Sequence, residues 1–567
     1  MRSAGMVLAS LCLVLVACGA GSLRWLRVGQ REHYLPGTVS TFGLRWWRCS
    51  AGNMVLGLAG IAGAVASVWV PPASLVAAAV AAGAPLGLGL RGRTSKLAPT
   101  ARLRRLAAFF AGAVAVVVSA GAALHGMRGA LSAAALAAMG APLLADFALF
   151  IAKPLEARLL APFVREASRR LGSVSPRVVA ITGSYGKTTT KGYVAHLVSG
   201  SLSAVATPAS FNNTAGLARA INEHLSAGTQ VFVAEMGTYG RGEIESMCSW
   251  VVPEVSVITA IGPVHLERMG SLENIAQAKA EILDRARVAV LNIDYPLLDA
   301  LAQKAEAAGK TVWRCSSVLP TGATAGGPGR QRAQEADVHA YWESGPLGGP
   351  KMRVRAFTGA PITGAPVPRG SSAGGSSAGE PGPRTPGSGE AALDVSVEAA
   401  PEVEPGNVAC AVAVALSLGV PMQVVERRLG SLPGAPHRRV PQTGARGTLV
   451  IDDTYNSNPA GARAALALLA AVGTAGGKRV VVTPGMVELG KEQDRENARF
   501  AAAAGEVATE LIVVGRTNAA SLLRGARGIG LKARRVAHRQ DAVSWVSENL
   551  GPGDVVLYEN DLPDHYP

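Results

Sequence analysis

The 567-residue chain has room for several domains, and its mean hydropathy of +0.24 is high for a soluble protein because apolar residues are concentrated before residue 152. The formal net charge of +15 does not indicate nucleic-acid binding, since many arginines flank apolar segments and no basic, aromatic-rich module is present. The six cysteines are scattered without a CxxC pair, which argues against a zinc site or a disulfide framework and fits a reducing compartment.

Five long, nearly uncharged segments precede residue 152, and each is near the length that crosses about 30 Å of hydrocarbon as a helix. They are residues 6–20, 54–70, 73–90, 106–124 and 131–151. Basic residues are concentrated in two connections, 22–52 and 91–105, which the positive-inside rule places in the cytoplasm together with everything after residue 152. We therefore predict a multi-pass inner-membrane domain at 1–152, in contact with membrane lipid, with the remaining domains facing the cytoplasm.

Two features of this part leave alternatives open. Residues 15–18, Leu-Val-Ala-Cys, could instead form a lipoprotein cleavage site, which would put Cys18 and the following domains outside. Asp146 lies in the last apolar segment, where an acid is either functional or close enough to the helix end to reach water.

After an amphipathic connector at 153–175, a β-branched run leads into a glycine loop and a helix-like pattern. This order is typical of a phosphate-binding loop, because glycine permits close backbone approach and the N–H groups at the helix start point at an anion. The spacing is GxxGKT, shorter than the common form, and a bare glycine turn needs no ligand; the Lys-Thr pair favours ATP. The residues expected to hold the nucleotide are Gly183, Ser184, Tyr185, Gly186, Lys187, Thr188 and Thr189.

Alternating strand and helix patterns follow this loop. Buried-type strands at 231–235 and 255–259 lead to two polar side chains, Glu235 and His265. Ligands of doubly wound sheets bind beyond the carboxyl ends of the strands, so both side chains are expected to converge on a Mg²⁺ ion next to Thr188. A capping role in its loop is the alternative for His265.

Several segments together resemble the Mur ligase family: TGSYGKTTTK at 182–191, NNTAG at 212–216, AEMGTYGRGEI at 234–244, the His265 loop and AKAEI at 278–282. Within this family the resemblance is to ligases that add D-alanyl-D-alanine to UDP-MurNAc-tripeptide, and it covers about residues 176–567. It implies an α/β central P-loop ATPase domain at 176–430 and a C-terminal Rossmann-like α/β domain at 431–567. It also implies an ATP-dependent, ADP-forming ligase that makes an amide bond through an acyl phosphate.

The resemblance assigns catalytic and metal-binding roles position by position, to Lys187, Thr188, Asn213, Glu235, His265 and Lys279. Lys187 would contact the phosphates, and Asn213 would lie near the γ-phosphate and the acyl phosphate. Thr188 and Glu235 would ligate one Mg²⁺. His265 would ligate a second, and Lys279 would be carbamylated and bridge the metals. A solvated helix lysine is the alternative for Lys279.

Four further residues are expected to contact the nucleotide on the same basis. Asn407 is what remains of the family's HNxxN signature, because Cys410 occupies the second asparagine position. Arg438 follows a segment that resembles the hinge into the third domain. Asp453 and Asn456 belong to a segment that resembles the family's DDSYNANP sequence.

Three departures from the family pattern bear on the substrate. Residues 319–405 contain a low-complexity, Gly/Ser/Pro-rich insertion that we expect to be disordered, flanked by strand-like pieces at 352–357 and 393–397. Glu559 stands where the family has a basic residue. Membrane segments precede the ATPase domain, and no counterpart of the family's UDP-binding domain is visible, which makes a lipid-linked carboxylate acceptor plausible.

The sequence thus predicts a membrane-anchored ligase that joins a muramyl-peptide-like or lipid-linked carboxylate to an amino acid or dipeptide, in peptidoglycan or related envelope synthesis. Two alternatives stay open. The chain could be a Mur-type ligase for another polymer, such as a γ-linked poly-amino acid. It could also be a membrane scaffold or transporter with an ATP-sensing domain.

Overall fold

The computed structural model describes residues 2–318, 334–343, 351–357, 391–400, 403–434, 440–454, 457–474, 476–562 and 565–567. These residues form a helical N-terminal part, a central α/β domain and a C-terminal α/β domain. Arg438 and Asn456, two predicted nucleotide contacts, and the low-complexity residues 358–390 lie outside the described residues.

The N-terminal part consists of helices that pack around a common apolar core. They are α1 (Arg2–Arg31), α2 (Thr38–Arg48), α3 (Ala51–Ala66), α4 (Ser74–Gly83), α5 (Ala101–Met139) and α6 (Ala141–Val174). By length and composition α1 and α5 qualify as membrane-spanning helices, and the pair α2 and α3, bent by 115°, adds a third span if it is counted as one. The described residues thus support two or three spans, fewer than the five predicted.

Prolines shorten one of the predicted spans. Helix α4 has only 10 residues, because Pro71-Pro72 precede it and Pro85, inside the apolar stretch at 73–90, follows its end. Helix α5 is interrupted at His125 and Gly126, whose dihedral angles are not helical, and the chain folds back there. A Cβ atom added to Gly129 would lie 2.0 Å from the carbonyl oxygen of Gly121. This turn lies between the predicted spans 106–124 and 131–151 and separates them.

Helix α6 joins the membrane part to the central domain without interruption, so the predicted connector at 153–175 is the second half of this helix. Its buried residues Ala167 and Leu171 belong to the central domain's core. The Arg170 side chain donates a hydrogen bond to the Leu225 carbonyl oxygen at 2.7 Å. The central domain is therefore held directly on the last helix of the membrane part.

The central domain is built on one nine-stranded sheet in the order β2-β3-β1-β4-β5-β6-β7-β8-β9. The strands are β1 (Arg177–Thr182), β2 (Ala204–Ala206), β3 (Val231–Glu235), β4 (Val255–Ile258), β5 (Val288–Asn292), β6 (Thr311–Ser316), β7 (Val338–Glu343), β8 (Lys351–Phe357) and β9 (Ala391–Glu398). Strands β1 to β7 are mutually parallel, and β8 and β9 are antiparallel additions. The strand-like pieces expected at 352–357 and 393–397 lie in β8 and β9.

Helices cover both faces of this sheet and separate two apolar cores. They are α7 (Lys187–Val198), α8 (Thr214–His224), α9 (Glu243–Cys248), α10 (Leu266–Met269), α11 (Leu272–Ala280), α12 (Pro296–Ala307), α13 (Pro405–Ser417) and α14 (Met422–Leu429). Because β1, β3, β4 and β5 are parallel, their carboxyl ends meet at one edge, where the predicted site residues follow the strands.

The C-terminal domain has a six-stranded sheet in the order β10-β11-β15-β12-β13-β14, parallel except for β10. Its strands are β10 (Val440–Thr443), β11 (Leu449–Asp453), β12 (Arg479–Thr483), β13 (Glu510–Val514), β14 (Lys532–Val536) and β15 (Val555–Glu559). Its helices are α15 (Pro459–Val472), α16 (Gln493–Val507), α17 (Ala519–Gly528) and α18 (Arg539–Asn549). The predicted α/β architecture of both domains is confirmed.

Candidate active site

The glycine loop lies between β1 and α7, as predicted. Gly186 adopts the left-handed conformation with φ 76°, and a Cβ atom there would lie 2.3 Å from the Asn407 Oδ1 atom. Only glycine fits this position. Lys187 begins α7, and its ammonium donates a hydrogen bond to the Gly183 carbonyl oxygen at 2.7 Å. The loop therefore has the form of an anion-binding helix start, with its lysine held over it.

Ser184 and Tyr185 tie this loop to the segment after β4. The Ser184 hydroxyl donates to the Gly262 carbonyl oxygen at 3.1 Å and accepts from the Gly262 N–H at 3.0 Å. The Tyr185 ring packs on the Gly262 backbone, and burial raises the pKa of its phenol. Thr188 and Thr189 lie half-buried in the first turn of α7. Both loop residues thus fix the position of the loop, whereas the two threonines remain accessible to a ligand.

Glu235, at the end of β3, is fully buried beside the loop and is ion-paired. The Lys191 ammonium lies 3.0 Å from its Oε2 atom, and the Asn212 amide donates to its Oε1 atom at 3.2 Å. The parallel register of β1 and β3 sets Glu235 opposite Ile181, one residue before Thr182. Lys191 and Asn212 were not singled out from the sequence, although both stand in motifs that were recognised.

Lys279 is buried in α11 and makes no hydrogen bond or ion pair to any residue that the structure describes. Burial, followed by the nearby positive charge of Lys187, lowers the pKa of its ammonium well below the ordinary value. The alternative of a solvated helix lysine is therefore wrong. The lowered pKa favours the uncharged, nucleophilic form of the amine.

His265 lies at the start of α10 and bridges the two catalytic domains. Its Nδ1–H donates a hydrogen bond to the carboxylate of Glu488, from the loop after β12. Burial lowers the pKa of His265 against the opposing effect of Glu488, and Lys279 and Lys187 lower it further. His265, Lys279 and Lys187 are therefore close enough for their charges to interact. A neutral imidazole oriented by a carboxylate leaves Nε2 available for a metal ion.

The protein side chains fit Mg²⁺ only as part of a ligand set. Among the described residues, no three His, Cys, Asp or Glu side chains lie close enough to form a metal site of their own. Mg²⁺ is usually held by one or two protein oxygens together with phosphate oxygens and water. Thr188 and Glu235 beside the glycine loop suit that arrangement, and a carbamate on Lys279 would supply an anionic oxygen near His265.

The other predicted residues are placed differently. Asn213 caps α8, and its side chain accepts a hydrogen bond from the Gly216 N–H at 2.9 Å. Asn407 packs on Gly186 and lines a cavity of about 320 Å³ beside the glycine loop. Asp453 ends β11 in the C-terminal domain.

That cavity lies between the central and C-terminal domains and is open to the glycine loop. Its lining includes Gly186, Thr189, Asn292, Asp294, Tyr295 and Asn407 from the central domain and Asn458, Ala460 and Gly461 from the start of α15. Its position against the loop makes it the candidate site for the nucleoside.

A network of charged and aromatic side chains surrounds His265 and was not anticipated. Glu32, in the loop after α1, accepts from Arg268 at 2.5 Å and from His565 at 3.2 Å. His33 stacks on Tyr239, whose ring in turn meets His265 edge-on. The loop after α1 thus contacts the immediate surroundings of His265. The contacts of Glu32 and His33 join residues more than 200 positions apart in sequence, and no local pattern signals them.

Comparisons with known proteins agree with this geometry. Residues 181–324 match the Mur ligase middle domain, and residues 438–558 match the Mur ligase, glutamate ligase domain. A UDP-N-acetylmuramoyl-tripeptide--D-alanyl-D-alanine ligase from Mycobacterium leprae is 30% identical over 418 residues, which is 70% of this chain and 73% of the relative. The chain belongs to the Mur ligase family.

A ligase of the same name from Escherichia coli is 26% identical over 61% of this chain and 68% of its own length. Two solved structures are also similar. MurF from Acinetobacter baumannii has a TM-score of 0.53 at 23% identity, over 70% of this chain and 77% of that chain. MurF ligase from Thermotoga maritima in complex with ADP has a TM-score of 0.52 at 21% identity, over 71% and 80%. Both structures show a shared fold.

Mur ligases are ATP-dependent, ADP-forming amide ligases that use Mg²⁺, and this chain is an enzyme of that kind. The scaffold interpretation is set aside accordingly. Two residues that differ from the family pattern, Cys410 and Glu559, are both buried. Cys410 packs into the apolar core of the central domain. Glu559, at the end of β15, accepts hydrogen bonds from the hydroxyls of Ser457 and Thr483.

Proposed function

We propose that this Mur ligase is membrane-anchored and joins D-alanyl-D-alanine, or a similar amine, to a muramyl-peptide acceptor during peptidoglycan precursor synthesis. The relatives' names support the substrate class. The observation that carries the chemistry is the grouping of Lys187, Lys279 and His265 beside the glycine loop. This grouping sets a phosphate-binding cation next to an amine and an imidazole whose pKa values are both lowered by burial.

We assign the roles as the sequence predicted them. Lys187 would contact the transferred phosphate, and Thr188 and Glu235 would hold one Mg²⁺. His265 and a carbamate on Lys279 would hold a second. Mg²⁺, when bound, supplies positive charge that stabilises the phosphate oxygens. The nucleotide contacts would be the loop residues 183–189 with Asn213, Asn407, Arg438, Asp453 and Asn456.

The reaction then follows from this arrangement. A carboxylate oxygen of the acceptor attacks the γ-phosphorus of ATP, the bond to the bridging oxygen breaks, and ADP leaves. The amine nitrogen attacks the resulting acyl carbon, inorganic phosphate leaves with the electron pair of the C–O bond, and the nitrogen loses one proton. Lys187 and the N–H groups at the start of α7 stabilise charge on the transferred group.

Contact between the two catalytic domains protects the acyl phosphate from water. Glu488 of the C-terminal domain bonds His265, and the Glu488 carbonyl oxygen accepts from the Glu267 N–H at 3.3 Å. An acyl phosphate exposed to water would hydrolyse, so a closed interface favours transfer to the amine.

Membrane anchoring is supported by the long apolar helices and by the unbroken helix α6. The arginine-rich connections lie on the same side as the catalytic domains, as the contacts of Arg45 with Glu267 and Glu32 with Arg268 indicate. This arrangement favours catalytic domains that face the cytoplasm, at the inner membrane. The number of spans, whether five or fewer, stays a prediction.

A second candidate keeps the chemistry and changes the substrate. Glu559 replaces a basic residue, which favours a ligase for another carboxylate polymer, such as a γ-linked poly-amino acid. The acceptor and amine that support turnover separate the two candidates.

The test is ADP and phosphate release by the full chain in detergent, with UDP-MurNAc-tripeptide, its lipid-linked form and D-alanyl-D-alanine added singly and in pairs. We expect release only when an acceptor and the dipeptide are both present, with the joined product detected by mass spectrometry. Release with a poly-amino acid and not with the muramyl acceptors would overturn the peptidoglycan assignment.

A further inference from the structure

A cleft of about 1510 Å³ lies between the membrane part, the central domain and the C-terminal domain. Its walls are the end of α2 with Cys49, the segment from Ile261 to Glu273, and the surface of the C-terminal domain around Arg463, 490–499 and 516–518. It is larger than the roughly 300–1,000 Å³ of a typical small-molecule site. A sugar with an attached peptide would fit in it.

The position of α2 puts one wall of this cleft at the membrane surface. The chain turns by 115° between α2 and α3, so α2 runs along the surface if α3 crosses the membrane. The buried face of α2 includes Phe42 and Trp46, whereas Leu44 is 53% exposed. Asp146 accepts hydrogen bonds from the Val39 and Ser40 N–H groups at 3.2 and 2.8 Å and thereby fixes the start of α2.

The same helix contacts both catalytic domains. The Arg45 side chain lies 2.8 Å from a carboxylate oxygen of Glu267, and the Trp46 indole donates to the His565 carbonyl oxygen at 2.5 Å. An acceptor headgroup at the membrane surface would therefore enter the cleft beside α2 and meet the catalytic domains without leaving the surface.

The cleft carries an excess of unpaired positive charge. Four exposed cations in its lining form no ion pair with a residue that the structure describes: Arg48, Arg463, Lys491 and Arg516. Most acids in the lining are paired with arginines. The pairs are Glu267–Arg45, Glu492–Arg495, Asp494–Arg524 and Glu496–Arg499. Guanidinium groups of this kind bind phosphate oxygens in a bidentate manner.

The inner end of the cleft reaches the nucleotide site. Tyr185, Tyr295 and Ala460 line both the cleft and the smaller cavity beside the glycine loop. A long acceptor lying in the cleft would thus bring a carboxylate at its far end toward the γ-phosphate, while its anionic part stays near Arg48.

We propose that this cleft is the acceptor site and that it binds a muramyl peptide joined by a diphosphate to a membrane lipid. Arg48, at the membrane side, contacts the diphosphate, and the peptide extends to Tyr185, where Arg463 lies. The inference deepens the proposed function and rests on it. A diphosphate also occurs in the UDP-linked form, so the experiment compares the two sources.

Cys49 reports occupancy of the cleft independently of catalysis. The full chain, in lipid nanodiscs, is alkylated with a soluble maleimide, and the rate at Cys49 is read by peptide mass spectrometry. We expect lipid-linked muramyl tripeptide in the same nanodiscs to slow labelling at Cys49 at least 5-fold, and the UDP-linked form in solution to have little effect. Arg48→Ala and Arg463→Ala should lose this protection, whereas Arg427→Ala, an exposed arginine on α14 outside the cleft, should retain it.

Turnover of the same samples with ATP and D-alanyl-D-alanine completes the test. Arg48→Ala should raise the KM for the lipid-linked acceptor at least 10-fold and leave the KM for ATP within 2-fold. Product formation without protection of Cys49 would overturn the cleft and leave the proposed function standing. Protection without product would support the cleft and overturn the proposed function. Protection by the UDP-linked form alone, or equal protection in Arg48→Ala and Arg463→Ala, would overturn the lipid-linked assignment.

Discussion

The two α/β domains each bury a glutamate at the carboxyl edge of a parallel sheet, and the two acids are stabilised in opposite ways. Glu235, at the end of β3, is paired with the Lys191 ammonium at 3.0 Å. Among the described residues, Glu559 at the end of β15 accepts hydrogen bonds from the hydroxyls of Thr483 and Ser457, and Asp453 lies nearby. Burial, reinforced by Asp453, raises the pKa of Glu559 to about 8.

Both glutamates end a buried parallel strand, so strand geometry does not distinguish them. They differ in whether a cation lies beside the carboxyl group. A buried carboxylate with an ammonium partner can stay ionised, whereas one with hydroxyl partners retains its proton at neutral pH. The central sheet thus pairs its glutamate with a cation, and the C-terminal sheet ends in a carboxyl group whose raised pKa favours the neutral form. The following predictions test whether the catalytic residues are confined to the carboxyl edge of the central domain's sheet.

The largest effect is expected for Lys187→Ala. Removing the cation that faces the phosphates should lower the rate of ADP release about 1000-fold, because it stabilises charge in the transition state. ADP release is measured with saturating acceptor and dipeptide. Lys304→Ala, an exposed lysine on α12, is the control and should retain full activity. Near-normal turnover in Lys187→Ala would contradict the placement of ATP at the central edge.

Lys279→Ala should lower turnover about 100-fold, since a bridging metal ligand is lost. Added short-chain carboxylic acids should restore part of the activity by taking the place of the carbamate. The readout is product formation with and without the added acid. An inactive variant that no acid rescues would show that Lys279 acts as a plain amine.

Lys191→Met should leave Glu235 buried without its cation partner and destabilise the central domain by about 3–5 kcal/mol. Hydrogen exchange of the β1 and β3 peptides measures this locally, which suits a chain of several domains. The double variant Lys191→Met/Glu235→Gln should recover most of the protection. Unchanged exchange in the single variant would mean that the ion pair does not hold this edge.

Glu559 should make the C-terminal domain less stable as pH rises. Below about pH 4.5 both folded and unfolded chains hold this proton; above it the unfolded chain releases the proton, while the folded one retains it up to about pH 8. Stability should therefore fall by up to about 1.4 kcal/mol per pH unit across this window and level off above it. Hydrogen exchange of the β12 and β15 peptides, compared at each pH with Glu559→Gln, isolates this contribution. The same slope in the Gln variant would contradict it.

Asp146→Asn should have the smallest effect. Within the described part of the chain, this acid accepts hydrogen bonds from backbone N–H groups at the start of α2, and an asparagine oxygen replaces most of that capping. We expect a loss of less than about 1 kcal/mol and normal turnover. Thermal unfolding in detergent and ADP release provide the two measurements. A large loss of activity would instead assign Asp146 a role in the reaction.

Local sequence was sufficient wherever the chemistry depends on neighbours in the chain. The glycine loop, the strand that ends in Glu235 and the helix that carries Lys279 were placed correctly, because each is a short segment with its own periodicity or turn requirement. The count of five membrane spans stays a prediction: two or three helices qualify by length and composition, and the apolar stretch at 73–90 forms only the 10-residue helix α4.

Sequence by itself determined the family, the two α/β domains and the order of the site residues, because these depend on motifs and strand patterns read along the chain. Tertiary structure alone decided which charges meet: Lys191 with Glu235, Glu488 with His265, and Glu32 with Arg268. The two last pairs join residues more than 200 positions apart, so they exist only once three parts of the chain have packed together. Burial, which no local pattern specifies, is also what lowers the pKa of Lys279 and raises the pKa of Glu559.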